Sequence, residues 1–144
     1  MPQAVFVYGT LKRGQSREKS WPRMPLSVTT AMVRGHLYDL GRYPGLIDGG
    51  DVVAGELWSF STADMPPTLA VLDEIEGIFG QDDDEYRRVI VECLISNQEL
   101  PAWTYFYARR AAVMSAQRIM PNNHGLCEWR SPPLATTSLA QPKI

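Results

Sequence analysis

The chain predicts one mixed α+β domain whose mainly β core closes or half-closes as a barrel. Several short runs have the apolar pattern of strands, one stretch has helical spacing, and no repeating strand-helix-strand order of the doubly wound kind joins them. The chain's 144 residues suffice to bury roughly two-thirds of the unfolded surface in one core, and are too few for two ordinary domains.

Each element follows from its local pattern. Ala4 to Tyr8 is a continuous apolar run and reads as a strand that breaks at Gly9. From Thr10 to Leu26 the chain reads as loop and irregular helix, interrupted by Pro22 and Pro25, and Ala31 to Leu40 reads as a second strand. Gly41-Arg42-Tyr43-Pro44-Gly45 then turns the chain. Val52 to Phe60 alternates, with Val53, Gly55, Leu57 and Ser59 on one face and Val52, Ala54, Glu56, Trp58 and Phe60 on the other. Gly55 marks a bend or a barrel corner.

Ser61-Thr62-Ala63-Asp64 offers N-cap residues before Pro66-Pro67, and Leu69, Leu72, Ile75 and Glu76 recur at helical spacing. The helix is expected to run to about Glu76 and stop at Gly77. Asp82-Asp83-Asp84-Glu85 reads as a solvated loop, and Arg87 to Ile95 as a strand with Val89, Val91, Cys93 and Ile95 on one face. A hairpin turn over Ser96 to Pro101 leads to the last clear strand, Ala102 to Ala108. On this face count Tyr105 and Tyr107 point one way and Phe106 the other. The pattern then weakens until Pro132-Pro133 opens a polar tail, so the domain is expected over residues 1–130 and a mobile tail over 131–144.

With 44% hydrophobic residues, 21% charged residues and a formal charge of -2, the composition is that of a soluble globular protein and offers no basic surface for nucleic acid. The longest apolar runs fall far short of a bilayer span, and Met1-Pro2-Gln3-Ala4 lacks the start of a signal peptide, so no membrane partner and a cytoplasmic location are expected. Cys93 and Cys127 lie far apart outside any C-x-x-C and read as inert thiols.

Chemistry concentrates first at Tyr8-Gly9-Thr10-Leu11. A strand that breaks at a glycine presents backbone N–H groups, which together can cradle an anion; it reads equally as a tight turn after an edge strand. Gly9 to Ser16 has the glycine spacing of a phosphate-binding P-loop, but Gln15 stands where its lysine belongs, so a carboxylate is the better anion. His36 inside a strand reads as a surface or packing residue, and His124 in Asn122-Asn123-His124-Gly125 as a turn residue. The acidic run at Asp82 lacks the ligand spacing of a calcium loop, and no metal is implied.

Glu76 is the second focus. It falls in the last helical turn, where the macrodipole disfavours negative charge, and Asp73 one turn earlier would push its pKa the same way. A carboxyl of that kind exchanges protons near neutral pH; alternatively, it simply ends an amphipathic helix in water.

Tyr8-Gly9-Thr10-Leu11, Leu37-Tyr38-Asp39-Leu40-Gly41 with Tyr43-Pro44-Gly45, Leu72-Asp73-Glu74-Ile75-Glu76-Gly77 and Tyr86-Arg87-Arg88 together resemble, in order and separation, the γ-glutamylcyclotransferase-like family. The resemblance runs from about Ala4 to Arg130, and is greatest to the short branch of γ-glutamylamine cyclotransferases and avirulence-induced plant proteins. It implies a small mixed β-barrel flanked by helices, with an active site in a cavity at the barrel mouth. It further implies Glu76 as catalytic acid/base and Tyr8, Gly9, Thr10 and Leu11 as the cradle for a γ-glutamyl substrate, with Tyr86 as a further substrate contact. The implied reaction closes 5-oxoproline by attack of the substrate's own α-amino group on its γ-carbonyl, with no metal, cofactor or enzyme nucleophile. γ-Glutamylamines rank first by analogy, ahead of γ-glutamyl amino acids and of a γ-glutamyl group used as protection in a biosynthetic pathway. Arg87 is expected to pair with an acidic residue inside the fold, and Trp58 and Trp103 to sit in the core or cavity wall. The contrasting reading is a non-catalytic small-molecule binding or regulatory module that uses the same cavity.

Overall fold

A computed structural model describes residues 2–130; the tail expected over 131–144 lies outside them. Five strands close on one another. β1 (Ala4–Val7) runs antiparallel to β3 (Pro44–Ser59) and parallel to β5 (Gln98–Tyr107). β5 pairs antiparallel with β4 (Tyr86–Ile95), β4 meets β2 (Ser27–Asp39) at Met32↔Leu94, and β2 returns to β3 along nearly its whole length. The circuit β3-β1-β5-β4-β2-β3 is a small mixed barrel, with a two-residue β6 (Gln117–Arg118) added at the far end of β2. Closure leaves no free edge in the barrel proper and turns one face of every strand inward.

The buried core on the two faces of the sheet includes Val5, Phe6, Val7, Leu37, Leu46, Val53, Leu57, Leu72, Ala102 and Tyr105. Gly55 faces β1 so closely that a Cβ there would stand 2.3 Å from the Val7 carbonyl oxygen, which is why the corner carries no side chain. Helix α1 (Met65–Glu76) follows β3 and buries Met65, Leu69 and Leu72, each worth roughly 1.5–3 kcal/mol of apolar burial. It ends where glycine allows it to. Gly77 adopts φ 73° and ψ 37°, and the N–H groups of Gly77 and Ile78 close on the carbonyls of Glu74 and Asp73. A five-residue α2 (Arg110–Met114) follows β5.

Several expectations move, among them the start of β2, at Ser27 rather than Ala31. β3 begins at Pro44, eight residues before the expected Val52, because the Asp48-Gly49-Gly50 stretch that looks like loop is a bulge: Gly35 pairs with Asp51 while His36 pairs with Ile47. The hairpin turn is Ser96-Asn97 alone rather than Ser96 to Pro101, since Ile95 already pairs with Gln98 and Pro101 lies opposite Glu92 within the ladder. The acidic loop is organised rather than merely solvated. Asp84 Oδ2 accepts the amides of Phe79, Gly80 and Gln81 at 3.0, 3.1 and 3.3 Å. Trp58 is buried as expected, covered by Trp21 with ring centroids 4.3 Å apart.

Candidate active site

The sequence positions Tyr8, Glu76 and Tyr86 on three different elements, and the barrel brings them together. Glu76, in the last turn of α1, has no solvent exposure, and neither do Tyr8, Thr10, Leu11, Tyr86 and Tyr105. Burial raises the Tyr8 hydroxyl pKa well above its usual range and the charge of Glu76 raises it further; burial and the charges of Tyr8 and Glu76 do the same to Tyr86. Burial, the hydrogen bond to Asp73 and the charges of Asp73 and Glu76 raise Tyr105. Three phenols therefore stand within electrostatic reach of one buried carboxyl.

Their protons are committed elsewhere. Tyr8 Oη donates to the Tyr105 carbonyl at 2.6 Å, Tyr86 Oη to the Pro44 carbonyl at 2.8 Å, and Tyr105 Oη to Asp73 Oδ1 at 2.7 Å. Asp73, expected only to repel Glu76, is instead offset by this bond and by Arg88, whose Nη1 lies 3.3 Å from Asp73 Oδ2. Arg88 in turn stacks over Trp103 at 4.6 Å. The expected ion pair of Arg87 thus belongs to its neighbour: successive strand residues face opposite ways, and Arg87 is exposed with no ion pair among the described residues. Tyr105 is the residue that sequence reasoning left outside the site. Its inward alternation was visible, but its long-range bonds to Tyr8 and Asp73 were not.

The 9–14 loop is fixed by its own carbonyls. Gly9 O accepts from Lys12 N–H at 3.2 Å, Thr10 O from Arg17 N–H at 2.8 Å, and Leu11 O from the Trp21 indole at 3.0 Å. Because a trans peptide sets its C=O and N–H on opposite sides, the N–H groups of Thr10 and Leu11 point away from those partners. Farther along, the amides of Arg13 and Gly14 already hold carboxylates, Glu56 Oε1 at 2.9 Å and Glu18 Oε1 at 2.8 Å. A phosphate would have to displace both, which removes the P-loop reading.

Two recesses open on this end of the barrel, and Glu76 lines neither of them. One, about 550 Å³, lies outside the end of α1 between Asp73, Ile78, Gly80, Tyr86 and Arg88. The other, about 170 Å³, lies between the start of β3, the end of β5 and α2. Tyr107 forms part of its wall and packs edge-on against Tyr86, centroids 5.2 Å apart.

The remaining candidates are structural. Cys93 is buried with its thiol pushed up to about 12 by desolvation, and Cys127 is buried beside Asp51. His36 Nε2 accepts the Gly50 amide at 3.3 Å, and His124 sits in a turn organised by the Asn122 side chain. No group of three ligand-type side chains gathers among the described residues, and none of their helices is long and apolar enough to cross a membrane.

A small closed mixed barrel, with one helix ending in a buried carboxyl near the residue that opens a glycine-containing loop, defines the class of fold. Residues 5–130 match the family model described as gamma-glutamyl cyclotransferase, AIG2-like, and the chain belongs to that family. It is 36% identical over 108 residues to the gamma-L-glutamyl-butirosin B gamma-glutamyl cyclotransferase of Niallia circulans, covering 73% of this chain and 67% of that one. It is 31% identical over 105 residues to the gamma-glutamylcyclotransferase family protein YtfP of Escherichia coli K12, covering 73% and 82%. The fold is that of the AIG2-like protein of Mus musculus, with a TM-score of 0.58 at 22% identity over 94% of this chain and 98% of the other.

Proposed function

We propose that this chain releases 5-oxoproline and a free amine from a γ-glutamyl compound, with Glu76 as the acid/base. The observation that carries the reading is the placement of Glu76: a buried carboxyl among Tyr8, Tyr86 and Tyr105, next to the loop that begins at Gly9. Taking a carboxylate out of water favours its neutral form, and that is what lets a glutamate exchange protons near neutral pH.

In the reaction the substrate α-nitrogen bonds to the carbonyl carbon of the γ-amide, and the bond from that carbonyl carbon to the leaving nitrogen breaks. Two protons pass from the attacking nitrogen to the leaving one. Glu76 takes one proton from the α-ammonium, which makes the nitrogen nucleophilic, and returns it to the departing nitrogen; it then takes the second, shed by the nitrogen after attack, and passes it to the released amine. In this reading the backbone over Tyr8 to Leu11 receives the substrate carboxylate or the developing oxyanion; the carbonyl bonds that fix the loop and the Tyr8 bond that anchors its start support it. Tyr86 walls the substrate space rather than donating to it, since its proton goes to Pro44. Holding a flexible γ-glutamyl chain in a ring-closing shape supplies much of the rate.

The test is 5-oxoproline release, by mass spectrometry, from γ-glutamyl amines and γ-glutamyl amino acids by the wild type and by Glu76→Gln. Release that falls by at least about a hundredfold in the variant supports the reading. Equal rates would remove Glu76 from the mechanism. Silence of the wild type with retained ligand binding would assign the chain to the non-catalytic binding class.

A further inference from the structure

The ion pair at the end of α1 does more than tie the helix to β4. Asp73 Oδ2 meets Arg88 Nη1 at 3.3 Å while Asp73 Oδ1 accepts the Tyr105 hydroxyl at 2.7 Å, so α1, β4 and β5 converge on one carboxylate. Asp73 stands three residues before Glu76 on the same side of the helix, a spacing that sets two side chains roughly 5–6 Å apart. Tyr105 feels all three charges: those of Asp73 and Glu76 raise its pKa and that of Arg88 lowers it. Glu76 ends the helix, where the macrodipole already opposes an anion, and an unmatched Asp73 would oppose it further. Arg88 supplies the match.

We propose that Asp73 and Arg88 are positioning residues for the acid/base step: by cancelling one another beside Glu76, they fix the pH at which its carboxyl becomes the carboxylate that takes the substrate proton. This rests on the cyclotransferase reading above. The other groups that face Glu76 are phenols: Tyr8 just past β1, Tyr86 on β4 and Tyr105 on β5. All three are raised and so stay uncharged at neutral pH. Glu85 lies farther out, against Tyr86 and Tyr43, and Glu74 is exposed. None of these carries a compensating positive charge. The Arg88 guanidinium does, and it is held on two sides, by the Asp73 carboxylate and by the Trp103 ring 4.6 Å away. Two unit charges at the Asp73–Glu76 spacing displace each other's titration by roughly 0.5 pH unit under water-like screening, and by about 2 units under the screening typical near a protein surface. The larger recess opens onto both Asp73 and Arg88, whose side chains are 26% and 29% exposed, so the lower part of that range applies.

The experiment records the pH dependence of kcat/KM for 5-oxoproline release by the wild type, Arg88→Gln, Asp73→Asn, the double variant and Arg88→Lys. The acidic limb of that profile reports ionisation of the base in the free enzyme. Arg88→Gln is expected to move the limb up by about 0.5 pH unit or more, and Asp73→Asn to move it down by a similar amount. The double variant should bring it back to within about 0.2 unit of wild type, and Arg88→Lys, which keeps the charge, should leave it in place. A pair that served only packing would lower kcat or the unfolding midpoint and leave the limb where it was. A limb that stays put in both single variants, or moves the same way in both, overturns the proposal. Should Arg88→Gln fail to fold, the downward move in Asp73→Asn decides, and its absence overturns the proposal. If the wild type releases no 5-oxoproline, the cyclotransferase reading fails and the same variants are compared by carbon NMR titration of the Glu76 side-chain carboxyl, assigned with Glu76→Gln. Opposite displacements of that titration in the two single variants would support the control of Glu76 by the pair, and their absence would overturn it.

Discussion

Tyr8 and Tyr105, 97 positions apart, are joined by a 2.6 Å hydrogen bond from the Tyr8 hydroxyl to the Tyr105 carbonyl. Through Tyr105's own hydroxyl the link continues to Asp73, one helical turn before Glu76. The strand that leads into the 9–11 loop and the helix that carries the candidate acid/base are therefore tied to the same residue of β5. Tyr8→Phe should lower stability by about 1 kcal/mol, because a buried carbonyl loses its side-chain donor. Thermal unfolding measures the loss, and unchanged stability would mean that the bond makes no net contribution.

Tyr105→Phe removes the donor to Asp73 Oδ1 and leaves Arg88 as the neighbour that offsets its charge. A double-mutant cycle of Tyr105→Phe with Asp73→Asn should give a coupling of about 0.5–3 kcal/mol in urea unfolding. Additive single effects would show the two residues to be independent.

Glycine at two positions is required for different reasons. Gly77→Ala places a Cβ on a residue at φ 73° and should cost about 1 kcal/mol, read as a lower unfolding midpoint with the fold intact. Gly55→Ala is more severe, since its Cβ would meet the Val7 carbonyl at 2.3 Å and backbone on both sides of the barrel would have to move. A loss above about 2–3 kcal/mol, or failure to fold, is expected for Gly55→Ala; stability within 1 kcal/mol of wild type, roughly the ordinary surface range, would contradict the close approach.

Alkaline pH should destabilise the protein. Burial raises the Cys93 thiol from 9.0 to about 12, and Tyr8, Tyr86 and Tyr105 are raised as well. Between the unfolded and folded values the native state binds more protons than the unfolded chain, so the stability these groups contribute is complete below about pH 9 and is lost as pH rises toward 12. Unfolding midpoints measured from pH 8 upward should fall, with tyrosinate absorbance appearing together with unfolding rather than before it. Cys93 should resist thiol reagents in the native state below about pH 9 and react on unfolding.

Several features were legible because they are local. The Pro66-Pro67 start and Gly77 stop of α1, the apolar run of β1 and the alternation around Cys93 each depend on a few neighbouring residues, and each lies where its pattern places it. The two halves of β3 were not, since Asp48-Gly49-Gly50 carries the composition of a loop and becomes a bulge only because β2 holds both sides of it. Pro101 likewise looked like a turn residue, yet the register set at Ser96-Asn97 carries it into the ladder. Arg87 and Arg88 are indistinguishable by type. Only the strand's orientation gives Arg88 to Asp73 and leaves Arg87 at the surface.

Taken by itself, the sequence determined the class of fold, the order of its motifs, the end of the helix at Glu76 and the family to which the chain belongs. Propensity, capping and periodicity act over a handful of bonds, so they can be read without knowing what the chain meets later. Only the tertiary structure decided that Glu76 is sealed among Tyr8, Tyr86 and Tyr105, that Asp73 is held by Tyr105 and Arg88, and that Arg87 and Arg110 share a recess. These relationships join residues 10 to 97 positions apart, and closure of the barrel fixes them by register and by the exclusion of water, neither of which has a local signature.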